Sequence, residues 1–394
     1  MSPESLPLQP GADGKPKPRV LIIAPIGEGV GGIICQTNQL VHELDKQQLI
    51  DFKAIDSTVR YRAVHNLSFL SRAWGGSWQA VRIGAQVLVS CIKFKPEFVQ
   101  IASSASLGLV RDIVLVFLLR LLGARVFVTF HFGRIPELAR QRNWEWRLLS
   151  GVVRMASSVQ VLDAASKAVL EANFPKSNIH QFPNAVACDW IDAIYGPVRA
   201  EETRRSVPRL IFVGMVLPTK GVVELVAACA KISDVDFELE MVGPVGPEMQ
   251  EQLSGIAAKR NAGRWLNFTG ALSRAEAVAH IAAADVFVLP SYTEGFPGSV
   301  LEAMACRVAI VATSVGAIPE MLLGDDGKAV GMLVPPRDVG ALRLAVEDLL
   351  KHPAKRSELG AAARRKCEAN YELSGLARHW VALWADHNNS NRPS

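Results

Sequence analysis

The sequence predicts an α/β protein made of two successive doubly wound domains. Three observations carry this. Short apolar runs of strand length alternate with amphipathic stretches of helix length, the pattern of a parallel sheet covered on both faces. That alternation breaks once, around residues 189–207, where Gly196, Pro197 and a charged run interrupt it, and then restarts. The chain has 394 residues, enough for two or three domains of ordinary size, and its 49% hydrophobic and 21% charged content is globular.

The elements follow in order. Residues 19–24 are an apolar run ended by Pro25 and a glycine-rich stretch. A helical pattern follows, with Ile33, Ile34, Thr37, Leu40, Val41 and Leu44 on one face. Strands are predicted at residues 52–56, 98–101, 126–130, 159–162 and 179–182, with a helix over 107–122. The second set begins at residues 209–213 and continues at 237–242, 266–269, 286–289 and 309–312, each pair separated by a helical stretch. The expected organisation is a polar tail at 1–18, a first domain at 19–190, a second at 191–372, and a final helix and tail at 373–394. In such sheets ligands bind beyond the carboxyl ends of the strands.

Two loops at those ends carry chemistry. Gly27, Gly29 and Gly32 spell G-x-G-x-x-G between the first strand and its helix, and Asp56 closes the second strand. That is a dinucleotide fingerprint in its expected context, so an NAD(P)-dependent dehydrogenase using the Gly27–Gly32 loop is the alternative function. The other loop is Glu294-Gly-Phe-Pro-Gly-Ser-Val-Leu-Glu302, between a buried strand and an apolar helix. Backbone N–H groups converge at such a turn and suit an anion, while a carboxylate on each side accepts hydroxyls. An anion flanked by hydroxyls describes a nucleotide sugar. Glu302 has a second role open to it, because Ser299 and Glu302 form an S-x-x-E capping box.

This segment resembles the E-x7-E motif of the family-4 retaining glycosyltransferases (glycosyl transferases group 1). The resemblance continues through residues 309–320 and 331–338 and covers roughly the C-terminal half. It implies the GT-B fold, two Rossmann-like domains facing across a cleft, with the last helix packing back on the first domain. It implies that Glu294 contacts the transferred sugar, that Glu302 grips ribose hydroxyls, and that the backbone at Gly295, Phe296, Gly298, Ser299 and Val300 faces phosphate. Gly31 and Gly32 match the family's N-terminal glycine loop. Gly214 and Lys220 match its second diphosphate grip, in which Met215 replaces the usual arginine and offers no donor. His131, at a strand end, is implied to lie beside the anomeric centre. Asn184 and Ala185 fall in a turn where the family has Pro-Asn-Gly-Val, and Asp163 to Lys167 in a segment where it carries serine or threonine before lysine.

The expected activity is therefore retaining, metal-independent transfer of a sugar from a UDP- or GDP-sugar to a glycan or polyprenyl-diphosphate-linked acceptor, in cell-surface polysaccharide biosynthesis, with no cofactor. The string Asp234-Val-Asp236 resembles a metal signature but precedes a strand, on the wrong edge for a ligand. Residues 1–190 hold 21 Lys and Arg against 14 Asp and Glu, and residues 191–394 hold 22 against 24. The basic half carries two basic aromatic clusters: Arg60, Arg62, Arg72, Trp74 and Trp78, then Arg134, Arg140, Arg142, Trp144, Trp146 and Arg147. They suit an anionic membrane surface, so a cytoplasmic enzyme held peripherally on the inner face of the plasma membrane is expected. No nucleic-acid motif is present. The six cysteines are scattered and read as reduced.

Overall fold

The computed structural model describes residues 17–27, 31–58, 69–193 and 207–389. The chain divides into two compact units: Met1–Pro183 with Leu373–Ser394, and Asn184–Glu372. Each contains a six-stranded sheet, with every adjacent pair of strands parallel.

The first unit has β1 (Arg19–Ala24), β2 (Asp51–Asp56), β3 (Phe98–Ser103), β4 (Arg125–Phe130), β5 (Ser158–Val161) and β6 (Ile179–Gln181), in the order β2-β1-β3-β4-β5-β6. The strand residues are apolar at nearly every position because both faces are covered. Leu21, Ile23, Val99, Ile101, Val126 and Val128 point to one face, and Val20, Ile22, Phe98 and Phe127 to the other. Helices α2 (Phe69–Phe94) and α3 (Leu107–Leu121) cover the first of these faces. Helix α1 (Gly32–Gln47) covers the second, together with the last helix, Leu373–Asn389, through Ala377, Trp380, Leu383 and Trp384. Burying a whole indole removes 150–250 Å² from water. Trp384 is almost fully enclosed, which fixes the last helix to this sheet.

The second unit has β7 (Arg209–Val213), β8 (Glu238–Val242), β9 (Leu266–Gly270), β10 (Val286–Leu289), β11 (Ala309–Thr313) and β12 (Met332–Val334), in the order β12-β11-β10-β7-β8-β9. Chain order reverses direction at β7, so β7 and β10 are neighbours whose outgoing loops diverge. That is where an open α/β sheet offers a crevice at its carboxyl edge.

One boundary moves, and two elements were not predicted. The first unit ends at Pro183, not at residue 190, because Val186 bridges to Glu372 and the Cys188 N–H donates to the Glu372 carboxylate at 3.1 Å. Helix α2 was not anticipated, since its glycines and outward apolar residues blur the helical period. Strand β12 is only three residues long and carries no alternation to read. Among the described residues, no helix is long and apolar enough to cross a membrane, and the six cysteines form no disulfide.

Candidate functional site

In the second unit the loops after β7 and β10 are fastened to each other. β7 ends at Val213, Gly214 follows, and a short 3-10 turn, Pro218–Lys220, brings the chain to Gly221. Gly221 has a left-handed φ of 69°, and a Cβ there would lie 1.9 Å from the Pro290 carbonyl oxygen. Only glycine permits that approach. The Tyr292 N–H donates to the Thr219 carbonyl at 2.9 Å, and the Tyr292 hydroxyl donates to Glu224 at 2.6 Å. Closing these loops brings Lys220 Nζ to 2.6 Å from Glu294 Oε1, which also accepts from Ser291 Oγ at 2.6 Å. Thr313 Oγ1 in turn donates to the Ser291 carbonyl at 2.6 Å. The Glu294 side chain is about nine-tenths buried and Lys220 is about 30% exposed, so the pair sits half out of water.

The chain after Glu294 is held from two sides. A Cβ on Gly316 would meet the Glu294 carbonyl oxygen at 2.2 Å, and the Ala317 N–H donates to Gly295 O at 3.0 Å. Asn184 Nδ2 donates to the Phe296 carbonyl at 2.8 Å, and the Phe296 ring packs edge-on against Tyr371. The helix Gly298–Ala305 then opens with Pro297 as its N-cap and no side-chain cap. The capping box is therefore not formed. Glu302 Oε1 instead accepts from Arg274 Nε at 2.8 Å, and Arg274 lies over the Trp190 ring at 4.7 Å. Burial pushes the Glu302 carboxyl above its usual range, and the Arg274 charge works against that shift. Arg274 Nη2 is shut off from solvent without a hydrogen-bond partner. Gly298 and Ser299 open the helix, where backbone N–H groups lack intrahelical partners. The Val300 N–H is already used, donating to Pro297 O at 3.2 Å.

These contacts bring together Gly214, Lys220, Glu294, Gly295, Phe296, Gly298, Ser299, Val300 and Glu302 at the carboxyl edge of one sheet. The sequence reading missed Ser291, Thr313 and Arg274, which orient the two acids. Buried serine and threonine at strand ends give no periodic signal. Met215 is 49% exposed and makes no polar contact that could stand in for an arginine.

In the first unit His131 follows β4, and its N–H donates to Ser103 O at 3.0 Å. Its Nδ1 is enclosed without a hydrogen-bond partner, and burial pushes the imidazole down to about 4, so the ring is neutral at neutral pH. Gly31 and Gly32 begin α1, and a Cβ on either would meet nothing within 4 Å. Gly29 lies outside the described residues. Asp56 Oδ1 accepts from the Ile26 N–H at 3.2 Å and the Thr58 N–H at 2.8 Å, which ties the loop after β1 to the end of β2. Asn38 clamps Gly27 reciprocally, accepting from its N–H at 3.2 Å and donating to its carbonyl at 3.1 Å. Asp163 caps a helix through the Ser166 N–H, and Lys167 pairs with Glu171. Asp234 and Asp236 pair with Lys351 and Arg260 at the amino edge of β8, and no cluster of metal-binding side chains occurs among the described residues.

Residues 199–366 match the family of glycosyl transferases group 1. The match lies within the second unit, which thus carries a group 1 glycosyltransferase domain. It is 27% identical over 246 residues to a glycogen synthase of Mycobacterium tuberculosis, covering 61% of this chain and 59% of that protein. It is 32% identical over 210 residues to an alpha-maltose-1-phosphate synthase of Mycolicibacterium smegmatis, covering 50% and 53%. The chain thus aligns with little more than half the length of these relatives. In three dimensions the chain resembles sucrose-phosphate synthase from Thermosynechococcus elongatus, with a TM-score of 0.73, 20% identity, and 95% and 100% of the two chains covered. It also resembles Anabaena Alr3699/HepE solved with UDP and glucose, with a TM-score of 0.67, 13% identity, and 93% and 99% covered. At these identities the likeness is one of fold, and the fold is GT-B.

Proposed function

We propose that the protein transfers a sugar, with retention at the anomeric carbon, from a UDP- or GDP-sugar to a hydroxyl of a glycan or polyprenyl-diphosphate-linked acceptor in cell-surface polysaccharide biosynthesis. The observation that carries this is the Lys220–Glu294–Ser291 cluster, a cation and an oriented carboxylate at the reversal point of a parallel sheet. Lys220 and the N–H groups opening the helix at Gly298 stabilise the diphosphate as charge develops on it. Glu294 Oε1 is held by two donors, which leaves Oε2 to accept from sugar hydroxyls. Glu302, oriented by Arg274, accepts from ribose. The bond from the anomeric carbon to the departing phosphate oxygen breaks. The acceptor oxygen bonds the same face, and its proton passes to that phosphate oxygen. His131 of the first unit, neutral at neutral pH with Nδ1 unpaired, would act as a hydrogen-bonding group and not as a cation. In this scheme no metal takes part.

Relatives named for glycogen and maltose-1-phosphate synthesis, and a neighbour solved with UDP and glucose, support a hexose donor and a sugar acceptor. The dehydrogenase alternative is disfavoured by the match of residues 199–366 to glycosyl transferases and leaves the Lys220–Glu294–Ser291 cluster without a role. The test is Glu294→Ala assayed for sugar transfer and for slow hydrolysis of nucleotide sugars. We expect turnover to fall by about 10²–10³-fold with the fold retained. Near-normal turnover would remove Glu294 from the chemistry.

A further inference from the structure

The expected basic aromatic cluster around Trp146 is only partly at the surface, where Arg140, Arg142, Trp144 and Arg147 are exposed. Trp146 is buried in the core, Arg142 stacks on it, and Arg134 is committed to Glu145 at 2.7 Å. Arg60 and Arg62 lie outside the described residues, as do the side chains of Arg72, Trp74 and Trp78. A different face of the same unit has the required character. On α3, Val110, Val114, Phe117, Leu118 and Leu121, with Leu122 at its end, are exposed and follow one another at helical spacing. The opposite side of that helix, Leu109, Leu115, Val116 and Leu119, is buried on the sheet. A helix apolar all round belongs in a core or against another apolar phase, yet α3 shows one side to solvent.

Helix α2 adds Leu88, Val89 and Ile92, one helical turn in extent. Both helices pack on the same sheet face, α2 through Ile83 and Val87 and α3 through Leu109 and Leu119. They lie over neighbouring strands, because α2 contacts β1 and β2, α3 contacts β3 and β4, and β1 pairs with β3. Nine of the fifteen exposed large hydrophobic side chains among the described residues therefore fall on two adjacent helices. Scattered exposed leucines need no explanation, but a contiguous patch marks a binding surface.

Charge identifies the occupant. Residues 82–125 hold six Lys and Arg against two Asp and Glu. Of the two acids, Asp112 is fully buried and bonded to Ser103 and Arg111, and Glu97 accepts from the Arg19 N–H. The exposed cations Lys93, Lys95 and Arg120 stand at the carboxyl ends of the two helices, beside Ile92 and Leu121. An apolar stripe edged by lysine and arginine is the composition of a helix lying in a lipid headgroup layer. We propose that the exposed face of α2 and α3 docks on an anionic lipid bilayer. This does not rest on the identity of the transferred sugar.

The experiment is flotation of the full chain with phosphatidylglycerol vesicles and with phosphatidylcholine vesicles, at low and high salt. The expected result is binding to phosphatidylglycerol that weakens with salt and falls by roughly tenfold or more in Phe117→Glu/Leu121→Glu. Leu344→Glu, an equally exposed leucine of the second unit, should float like the wild type. Circular dichroism checks the fold of the double variant, and Ile92→Glu on α2 reads the same loss should α3 not tolerate two charges. Hydrolysis of nucleotide sugar without lipid should be unchanged in all of them. The proposal is overturned if the wild type stays unbound with phosphatidylglycerol, or if both charged variants float normally. It is also overturned if sedimentation shows wild-type self-association that Phe117→Glu/Leu121→Glu abolishes while vesicles are ignored, since the face would then belong to a second copy.

Discussion

The two units place glycines at the carboxyl edges of their sheets for opposite reasons. In the second unit a Cβ on Gly221 would collide with Pro290 O, and one on Gly316 with Glu294 O. These glycines serve the protein's own packing, and through it they set the position of Lys220 and Glu294. In the first unit a Cβ on Gly31 or Gly32 would meet nothing. The described residues leave the space beside these two glycines open, so neither is required by the packing of its own unit. A glycine-rich loop is thus a weak signal of ligand chemistry until one knows which atoms fill the room left by the missing side chain.

Substitutions can break or sharpen this contrast. The largest effect is expected from Gly221→Ala, which combines a left-handed φ with a backbone collision. It should cost roughly 3 kcal/mol or more of stability, read as a lowered Tm, and take activity with it. Gly32→Ala should behave in the opposite way. Alanine favours a helix start over glycine by a few tenths of a kcal/mol, so Tm should hold or rise while kcat/KM falls by about tenfold or more. Equal destabilisation by the two substitutions would erase the distinction.

A smaller effect concerns the acids. Arg274→Gln removes the charge that opposes the raised Glu302 carboxyl. Hydrogen bonds to charged groups contribute about 1.5–3 kcal/mol, so donor KM should rise at least roughly tenfold with little change in kcat. An unchanged KM would leave the Arg274–Glu302 pair structural. The smallest effect is a slope. His131 titrates at about 4 in the folded chain, against an ordinary 6.5. As pH falls, the unfolded chain takes up that proton first, so stability should decline between pH 6.5 and about 4. His131→Gln should flatten that part of the profile, as measured by denaturant titration across the window.

Much of the fold was legible because buried parallel strands read as apolar runs. Residues 209–213 and 286–289 are strands over the predicted spans. Helix α2 was hidden for a physical reason that later proved informative, since Leu88, Val89 and Ile92 face solvent and spoil its amphipathic period. In the site, Glu294 could be singled out from its place before a turn, where no capping role competes. Glu302 could not be resolved by pattern, because a capping box and a ligand grip share one spelling. The contact that draws Glu302 away from the cap, Arg274 across 28 residues, is long-range. Ser291, Thr313 and Asn184 act through single hydrogen bonds whose partners only folding brings near.

The central claim is that the Lys220–Glu294 corner of the second unit takes a nucleoside diphosphate. The direct measurement is thermal shift of the purified full chain against UDP, GDP and ADP, with NAD as the comparison. A ligand at 100 times its Kd adds about 2.7 kcal/mol to the folded state, which is several degrees in Tm. The account predicts such a rise for one or more of the diphosphates, none for NAD, and its loss in Lys220→Ala. A rise with NAD alone, surviving Lys220→Ala, would contradict it.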